Sequence, residues 1–119
     1  MSLAARDRLF LLRPDWVDQG RPWFCMACAA VEGFLGYYPA VRDALDIAYL
    51  PYERPRHPVV DLLGEAYQNL PTLVLAAPFE HADLREGDLQ EARGLWFATN
   101  EGPITRVLAA RHGVSPPHP

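Results

Sequence analysis

Short apolar segments and helix-period segments alternate along this chain of 119 residues, and the alternation restricts its fold more than any other feature. Four segments have the length and apolar character of strands, and they lie at 8–12, 45–50, 72–76 and 95–99. Three segments repeat apolar residues at helical spacing, and they lie at 25–38, 58–67 and 102–113. The order β-α-β-α-β-β-α predicts an α/β fold with a central four-stranded mixed sheet flanked by helices.

The segments between these elements are polar or rich in proline. Residues 13–24 are expected to form a loop, and 77–94 to form an insertion with a turn of helix near 83–91. Gly36 and Pro39 are expected to mark the end of the first helix.

The length of the chain suits one domain of ordinary size, able to bury a core without disulfide bonds. We therefore expect a single domain over 1–119, with its core at about 8–113. The proline-rich tail at 114–119 is expected to be flexible.

Two absences in the composition exclude several classes of enzyme. All eleven basic residues are arginine, so the chain has no lysine for a Schiff base or a phosphate-binding loop. The two serines, Ser2 and Ser115, lie near the ends, which excludes a serine triad. Cys25 and Cys28 remain as the main candidate nucleophiles.

Net charge and hydropathy indicate which partners and which compartment to expect for the protein. The net charge is −4 and the arginines are scattered, which argues against nucleic-acid binding. No apolar run approaches the roughly 18 residues of a membrane span, so no membrane partner is expected. The first residues lack the pattern of a signal peptide, and the expected compartment is the cytoplasm. In that compartment paired cysteines are more often reactive or metal-binding than structural.

Cys25 and Cys28 form a Cys-x-x-Cys motif at the predicted start of the first helix. The free N–H groups and the positive dipole end of a helix N-terminus stabilise a thiolate, the species that attacks a disulfide. The second cysteine lies one turn further along the same face, where it can resolve a mixed disulfide. By this reasoning Cys25 is the nucleophile and Cys28 is the resolving thiol.

Two other interpretations of the cysteine pair stay open. A zinc site needs two further ligands, and the four histidines show no ligand-like spacing. An inert buried pair is the second alternative, because free cysteine packs as a small hydrophobic residue. The position of the motif at a helix start favours redox activity over both.

The segment Cys25-Met26-Ala27-Cys28, followed by Leu70-Pro71-Thr72 at the third strand, resembles the thioredoxin-like superfamily in its glutaredoxin and glutathione-transferase N-domain branch. A closer resemblance is to a bacterial thioredoxin-like family of unknown function, over about residues 8–113. The resemblance implies that Pro71 is cis and faces the cysteines, and that the backbone of Leu70 pairs with a bound thiol substrate.

A further segment, Asn100-Glu101-Gly102-Pro103-Ile104, is similar to the part of glutathione transferases that holds the γ-glutamyl end of glutathione. Glu101 matches the acid of that segment. Gly102 stands in place of the hydroxyl residue and offers a backbone N–H alone. The resemblance implies substrate contacts at both positions, and the alternative is that Glu101 stabilises the start of a helix.

Two groups of residues flank these positions. Arg54, Arg56 and His57 lie in the proline-rich loop before the second helix, where an arginine fork would suit a carboxylate. Solvated loop charges are the commoner case. Trp23 and Phe24 adjoin Cys25, either as an apolar platform for a partner or as core residues.

The leading hypothesis is a cytoplasmic dithiol–disulfide oxidoreductase of the glutaredoxin type. Its catalytic residues are Cys25 and Cys28, and its expected substrate-binding residues are Leu70, Pro71, Glu101 and Gly102. The expected partner is glutathione or a protein disulfide, with glutathione as a candidate co-substrate and neither a resident cofactor nor a metal. The alternatives are a non-catalytic thioredoxin-fold interaction module and, less favoured, a metal- or iron–sulfur-binding glutaredoxin-like protein.

Overall fold

The computed structural model describes residues 5–119, and within this range it contains a five-stranded mixed sheet, a two-stranded hairpin and four helices. The strands are Arg8–Leu12 (β1), Trp16–Asp18 (β2), Arg21–Trp23 (β3), Asp46–Leu50 (β4), Thr72–Val74 (β5), Gln90–Ala92 (β6) and Leu95–Thr99 (β7). The helices are Met26–Tyr37 (α1), Pro39–Asp43 (α2), His57–Leu63 (α3) and Glu101–His112 (α4).

The five-stranded sheet has the order β4-β1-β5-β7-β6. β1 and β4 run parallel, with Arg8 opposite Asp46 and Leu12 opposite Leu50, and the other neighbours run antiparallel. The predicted α/β class, the mixed sheet and its four predicted strands are confirmed, with small differences at the strand ends. The predicted count of four strands is wrong, because β6 adds a fifth strand at one edge.

The additional strand β6 belongs to the segment 77–94, where a turn of helix near 83–91 is predicted. That prediction is wrong, because the segment forms turns followed by β6. Arg93 and Gly94 join β6 to β7 with φ of 51° and 77°, the positive values of a tight hairpin turn. Arginine is uncommon at positive φ, so the local sequence does not indicate this hairpin.

Segment 77–94 is fixed to α4 by a buried ion pair. The Arg106 guanidinium donates hydrogen bonds of 3.0 and 2.8 Å to the two carboxylate oxygens of buried Asp88. The backbone N–H of Arg85 donates a third, at 2.9 Å. The Arg106 side chain is the main reason that the pKa of Asp88 lies below its usual range.

The loop predicted at 13–24 contains the hairpin of β2 and β3, so this prediction is wrong in part. Trp16 lies opposite Trp23, and the two central residues of the turn have φ of 53° and 76°. The Trp16 ring stacks on the ring of Tyr52, with centroids 5.0 Å apart. The hairpin is thereby held against the loop that follows β4, and its second strand leads directly to Cys25.

α1 ends at Tyr37, between Gly36 and Pro39 as predicted, and Pro39 begins α2, because proline is well tolerated in the first turn of a helix. The end of α3 differs from the prediction. α3 ends at Leu63 instead of residue 67. Gly64 follows with φ of 95°, a conformation that glycine adopts readily and that does not continue a helix.

Apolar side chains pack on both faces of the sheet. One core lies mainly beneath α1, α2 and α4 and includes Leu9, Leu11, Val31, Leu35, Val41, Leu73, Ile104 and Leu108. The other lies mainly beneath α3 and includes Phe10, Leu50, Val59, Leu63, Val74 and Phe97. Successive residues of β1 therefore alternate between two cores, which explains its uninterrupted apolar run.

None of the helices within residues 5–119 combines the length and the apolar character that crossing a membrane requires.

Candidate thiol active site

Cys25 lies at the N-cap of α1, immediately after the β2–β3 hairpin. Its backbone is extended, and its Sγ accepts a hydrogen bond of 3.1 Å from the backbone N–H of Cys28. The thiol thus satisfies one of the free N–H groups of the helix start, as the oxygen of a capping serine or aspartate would. It is partly exposed, and both cysteines are free thiols.

Cys28 lies one turn into α1 and is buried, with 5% of its surface exposed. Its Sγ accepts a hydrogen bond of 3.4 Å from the backbone N–H of Leu12, the last residue of β1. The side chain also belongs to the core that α1 forms with the sheet. Cys28 is therefore shielded by the end of β1, whereas Cys25 is reachable from solvent.

The surroundings of Cys28 favour its protonated form. Burial, followed by a hydrogen bond with the Cys25 side chain, raises the pKa of the Cys28 thiol to about 12. The hydrogen bond from Leu12 and the charge of Arg56 act in the opposite direction. The two thiols therefore differ in both accessibility and surroundings.

A depression of about 310 Å³ opens beside the cysteine pair. Its lining comprises Leu11, Leu12, Pro14, Phe24, Cys25, Cys28, Ala29, Glu32 and Tyr49. Most of these side chains are apolar, so the depression suits the apolar part of a substrate that carries a disulfide.

The polar side of the depression is a closed hydrogen-bond network. Arg42 donates to Glu32 at 2.6 Å and to the Tyr49 hydroxyl at 2.9 Å, and that hydroxyl donates to Glu32 at 2.7 Å. Burial opposes the ionised form of Glu32, but the bonds from Arg42 and Tyr49 hold its pKa below the usual range. Burial and the bond to Glu32 raise the pKa of Tyr49. The sequence does not predict this network, because its members come from three separate elements, α1, α2 and β4.

The predicted cis conformation of the Leu70–Pro71 peptide bond is confirmed. Leu70 packs against the same core as Cys25, and Pro71 is buried. The Pro71 carbonyl accepts a hydrogen bond of 3.3 Å from the backbone N–H of Asn100, the residue before Glu101. The structure thus joins the start of β5 to the start of α4.

Glu101 and Gly102 line a different cavity, of about 560 Å³, together with α1 and the C-terminal tail. Its lining, among the described residues, includes neither cysteine. Glu101 is exposed, and it carries the favourable charge for the first turn of α4. The structure therefore does not bring the six predicted site residues together in one depression. The two cysteines line one depression, Glu101 and Gly102 line the other, and the linings of both lack Leu70 and Pro71.

The residues that flank the motif differ in exposure. Trp23 and Phe24 are exposed by 37% and 59%, which favours an apolar platform over core packing. Arg54 and His57 are exposed, but Arg56 is buried, contrary to the solvated loop that is the commoner case for such charges.

Among residues 5–119 no group of three or more histidine, cysteine, aspartate or glutamate side chains is placed to hold a metal ion.

The raised pKa of Cys28 predicts that alkaline pH lowers the stability of the protein. An unfolded cysteine ionises near pH 9.0, whereas the folded protein holds the Cys28 proton to about pH 12. The contribution is complete below pH 9.0 and is lost as the pH rises towards 12. In this range the unfolded chain binds fewer protons, so the free energy of unfolding falls, by at most about 1.4 kcal/mol per pH unit.

Urea unfolding between about pH 8 and about pH 11 measures this slope. We expect Cys28→Ala to remove the contribution of Cys28 to this slope and to leave that of Tyr49, whose pKa is also raised. Cys25→Ala should retain most of the slope. Equal slopes in the wild type and in Cys28→Ala would show that burial of Cys28 has no such effect.

Comparison with known protein families identifies the relatives of this chain. The family described as "Protein of unknown function (DUF3088)" matches residues 6–116, a range that begins before β1 and extends beyond α4. No curated protein and no solved structure matches the chain. Both cysteines, the Leu70–Pro71 segment and the start of α4 lie within the matched range. The chain therefore belongs to the DUF3088 family of proteins of unknown function.

Proposed function

We propose that this protein is a thioredoxin-like dithiol–disulfide oxidoreductase of the glutaredoxin type, working in the cytoplasm. The observation that carries the proposal is the pairing of two unlike thiols at one helix start. Cys25 caps α1 and is partly exposed, and Cys28 is buried one turn further on. This is the arrangement that an attacking thiol and a resolving thiol require.

The order of the strands and helices supports the assignment of a thioredoxin-like fold. Without the β2–β3 hairpin, the short helix α2 and the edge strand β6, the remaining elements run β-α-β-α-β-β-α. This is the order expected for a thioredoxin-like domain. Cys25 and the cis Leu70–Pro71 bond occupy the positions in this order that the resemblance assigns to the nucleophile and the substrate-presenting proline.

In the proposed reaction the Cys25 thiolate attacks one sulfur of a substrate disulfide and releases the other half of the substrate as a thiolate. The Cys28 sulfur then attacks the Cys25 sulfur, releases the second substrate thiolate and closes a Cys25–Cys28 disulfide. Two electrons pass to the substrate, and the Cys28 proton goes to a departing thiolate. Two molecules of glutathione, which become glutathione disulfide, return the pair to the dithiol.

The surroundings of Cys28 suit this order of events. While Cys25 is free, burial and the interaction with Cys25 keep the Cys28 thiol protonated. A mixed disulfide removes the negative charge of Cys25, so the contribution of that charge to the raised pKa of Cys28 is lost. Cys28 then releases its proton more readily, at the stage when its thiolate is needed.

Substrate binding is proposed at two places. The depression beside the cysteines receives the group attached to the attacked sulfur, with Leu70 and Pro71 presenting the disulfide. Glu101 and Gly102 begin α4, one residue beyond the hydrogen bond between Asn100 and Pro71. A carboxylate and a backbone N–H at that position suit the amino and carboxylate groups of the γ-glutamyl end of glutathione.

The test is the reduction of bis(2-hydroxyethyl) disulfide by glutathione, with and without the purified protein. We expect the wild type to accelerate the reaction and Cys25→Ser to reduce the rate to that of glutathione alone, because the attacking thiolate is gone. Asp46→Ala is the control and should keep the wild-type rate, since Asp46 lies at the start of β4 and its side chain is 61% exposed. An inactive wild type, or an active Cys25→Ser variant, would contradict the proposal.

A second candidate function is favoured by the apolar surface next to Cys25. Val17, Phe24 and Met26 are exposed by 72%, 59% and 74% and lie on the hairpin or at the start of α1. A surface of this kind suits a protein partner. In an oxidoreductase it would bind a protein disulfide, and in a non-catalytic interaction module it would be the functional surface itself. The glutathione assay separates the two, because the module has no activity in it.

A further inference from the structure

One face of α1 lines the depression beside the cysteine pair. Spacings of three or four residues place helical side chains on the same side of a helix. Glu32 lies one turn beyond Cys28 on this face, and its side chain is 36% exposed. Tyr49 of β4 lines the same depression, so a carboxyl and a phenol adjoin the two thiols. The positions that α1 and its N-cap contribute to the lining are Cys25, Cys28, Ala29 and Glu32.

The polar side chains of this lining have lone pairs to offer and no spare hydrogen. The Tyr49 hydroxyl donates its hydrogen to Glu32 at 2.7 Å and accepts a bond from Arg42. Arg42 donates a second bond to Glu32, at 2.6 Å. A carboxylate has about four lone-pair sites, so these two bonds leave Glu32 able to accept further ones. A group that enters the depression therefore meets hydrogen-bond acceptors.

Glu32 also gives the depression a negative charge. Burial opposes ionisation of Glu32, but the bonds from Arg42 and Tyr49 outweigh it and hold the pKa of Glu32 below its usual range. Arg42 itself lies outside the lining, so the carboxylate is the end of this ion pair that adjoins the depression. Within residues 5–119, Glu32 is the one carboxylate of the lining, which contains neither arginine nor histidine.

Two further arginines act near the depression from outside its lining. Arg13 is exposed, and its guanidinium donates a bond of 3.3 Å to the Tyr49 carbonyl, so water and salt screen its charge. The charge of Arg56 acts on the Cys28 thiol, but the Arg56 guanidinium is held by the carbonyls of Gln68 and Tyr52. A substrate group inside the depression thus lies against Glu32 and not against either arginine.

We propose that Glu32 is a specificity-determining residue of the thiol site, which favours disulfides with an ammonium or guanidinium group close to the attacked sulfur and disfavours those with a carboxylate there. The inference rests on the proposed function and names the class of its substrates. A cationic donor in the depression gains an acceptor of opposite charge. A carboxylate in the same place would meet a like charge and find no hydrogen to accept, which is how a site rejects a ligand.

The test compares three disulfides of nearly equal size that differ in their end groups. Cystamine ends in ammonium groups, bis(2-hydroxyethyl) disulfide in hydroxyls and dithiodipropionate in carboxylates. Glutathione reduces each of them at about pH 7 in the presence of the full chain. The kcat/KM for each disulfide is divided by its rate constant with glutathione alone, so that differences in intrinsic reactivity cancel.

We expect the wild type to prefer cystamine to dithiodipropionate by roughly tenfold, with the hydroxyl compound between them. Glu32→Gln keeps the size of the side chain and an oxygen for Arg42, but it removes the negative charge and leaves Arg42 unbalanced. The preference should therefore fall by at least about fivefold in this variant. A ratio of two rates in one variant does not depend on how much of that variant is folded, so a purely structural role of Glu32 would not change it.

Asp46→Asn is the matched control. Asp46 is a carboxylate of β4 whose side chain is 61% exposed, and it lies outside the lining of the depression. Its replacement should change the ratio by less than about twofold.

A preference for cystamine that Glu32→Gln abolishes and Asp46→Asn retains supports the inference. Equal normalised rates for cystamine and dithiodipropionate in the wild type would overturn it, and this result requires no variant. An unchanged preference in Glu32→Gln would overturn it as well. A wild type that reduces none of the three disulfides contradicts the oxidoreductase and the inference with it, whereas an active wild type without the preference contradicts only the role of Glu32.

Discussion

Replacing Cys28 by serine is expected to convert nearly all of the protein to a mixed disulfide when it is treated with glutathione disulfide. Cys25 can still attack, because it is partly exposed and lies at the helix start. The resolving thiol one turn further into α1 is absent, so the glutathione half stays bonded to Cys25. The intact mass of the protein measures the adduct, and peptide mapping places it.

The reciprocal variant, Cys25→Ser, controls this result. Cys28 is buried, and burial, the largest cause of its raised pKa, remains in this variant, so Cys28 should stay an unmodified thiol under the same conditions. An adduct on Cys28 in this variant would contradict the assignment of the two roles. So would a Cys28→Ser variant that stays free of glutathione.

Replacing Asp7 by alanine is expected to lower the free energy of unfolding by about 3 kcal/mol, or roughly 10 °C in Tm. Asp7 is 5% exposed, and its carboxylate accepts bonds of 2.6 and 3.2 Å from Arg111 near the end of α4. It also accepts a bond of 2.8 Å from the backbone N–H of Ala76. One side chain thus ties the start of β1 to the segment after β5 and to α4, and its loss leaves two donors without a partner.

Asp46→Ala is the matched control for this prediction. Asp46 forms an exposed ion pair with Arg6, at 3.4 Å, and removal of such a pair costs less than about 1 kcal/mol. Thermal and urea unfolding of the two variants compare a buried carboxylate with an exposed one in the same chain. Equal losses of stability would mean that the Arg111 contact contributes little.

Much of the fold could be predicted because its main elements carry regular patterns. Segments 8–12 and 95–99 are apolar runs of strand length, and both are strands with those bounds. The features that the sequence did not predict depend on backbone conformations without a periodic signal. The β2–β3 hairpin turns through Gln19 and the β6–β7 hairpin through Arg93, two non-glycine residues at positive φ.

The candidate site could be predicted in part, because some of its features are local in the sequence and others depend on distant contacts. The spacing of Cys25 and Cys28 and their place at a helix start are local features, and the structure retains both. The burial of Arg56 and the network of Glu32 depend on contacts between residues far apart in the chain. The separation of Glu101 from the cysteine depression likewise follows from how α4 packs on α1, which local spacing does not indicate.

The central claim is that Cys25 and Cys28 form a reversible dithiol–disulfide pair. Its most direct test is to treat the reduced wild type with a small molar excess of glutathione disulfide and to map its cysteines by mass spectrometry. The account predicts an internal Cys25–Cys28 disulfide, a loss of two hydrogen atoms from the protein and the release of two molecules of reduced glutathione. Two free thiols after complete equilibration, or glutathione retained on Cys28, would contradict it.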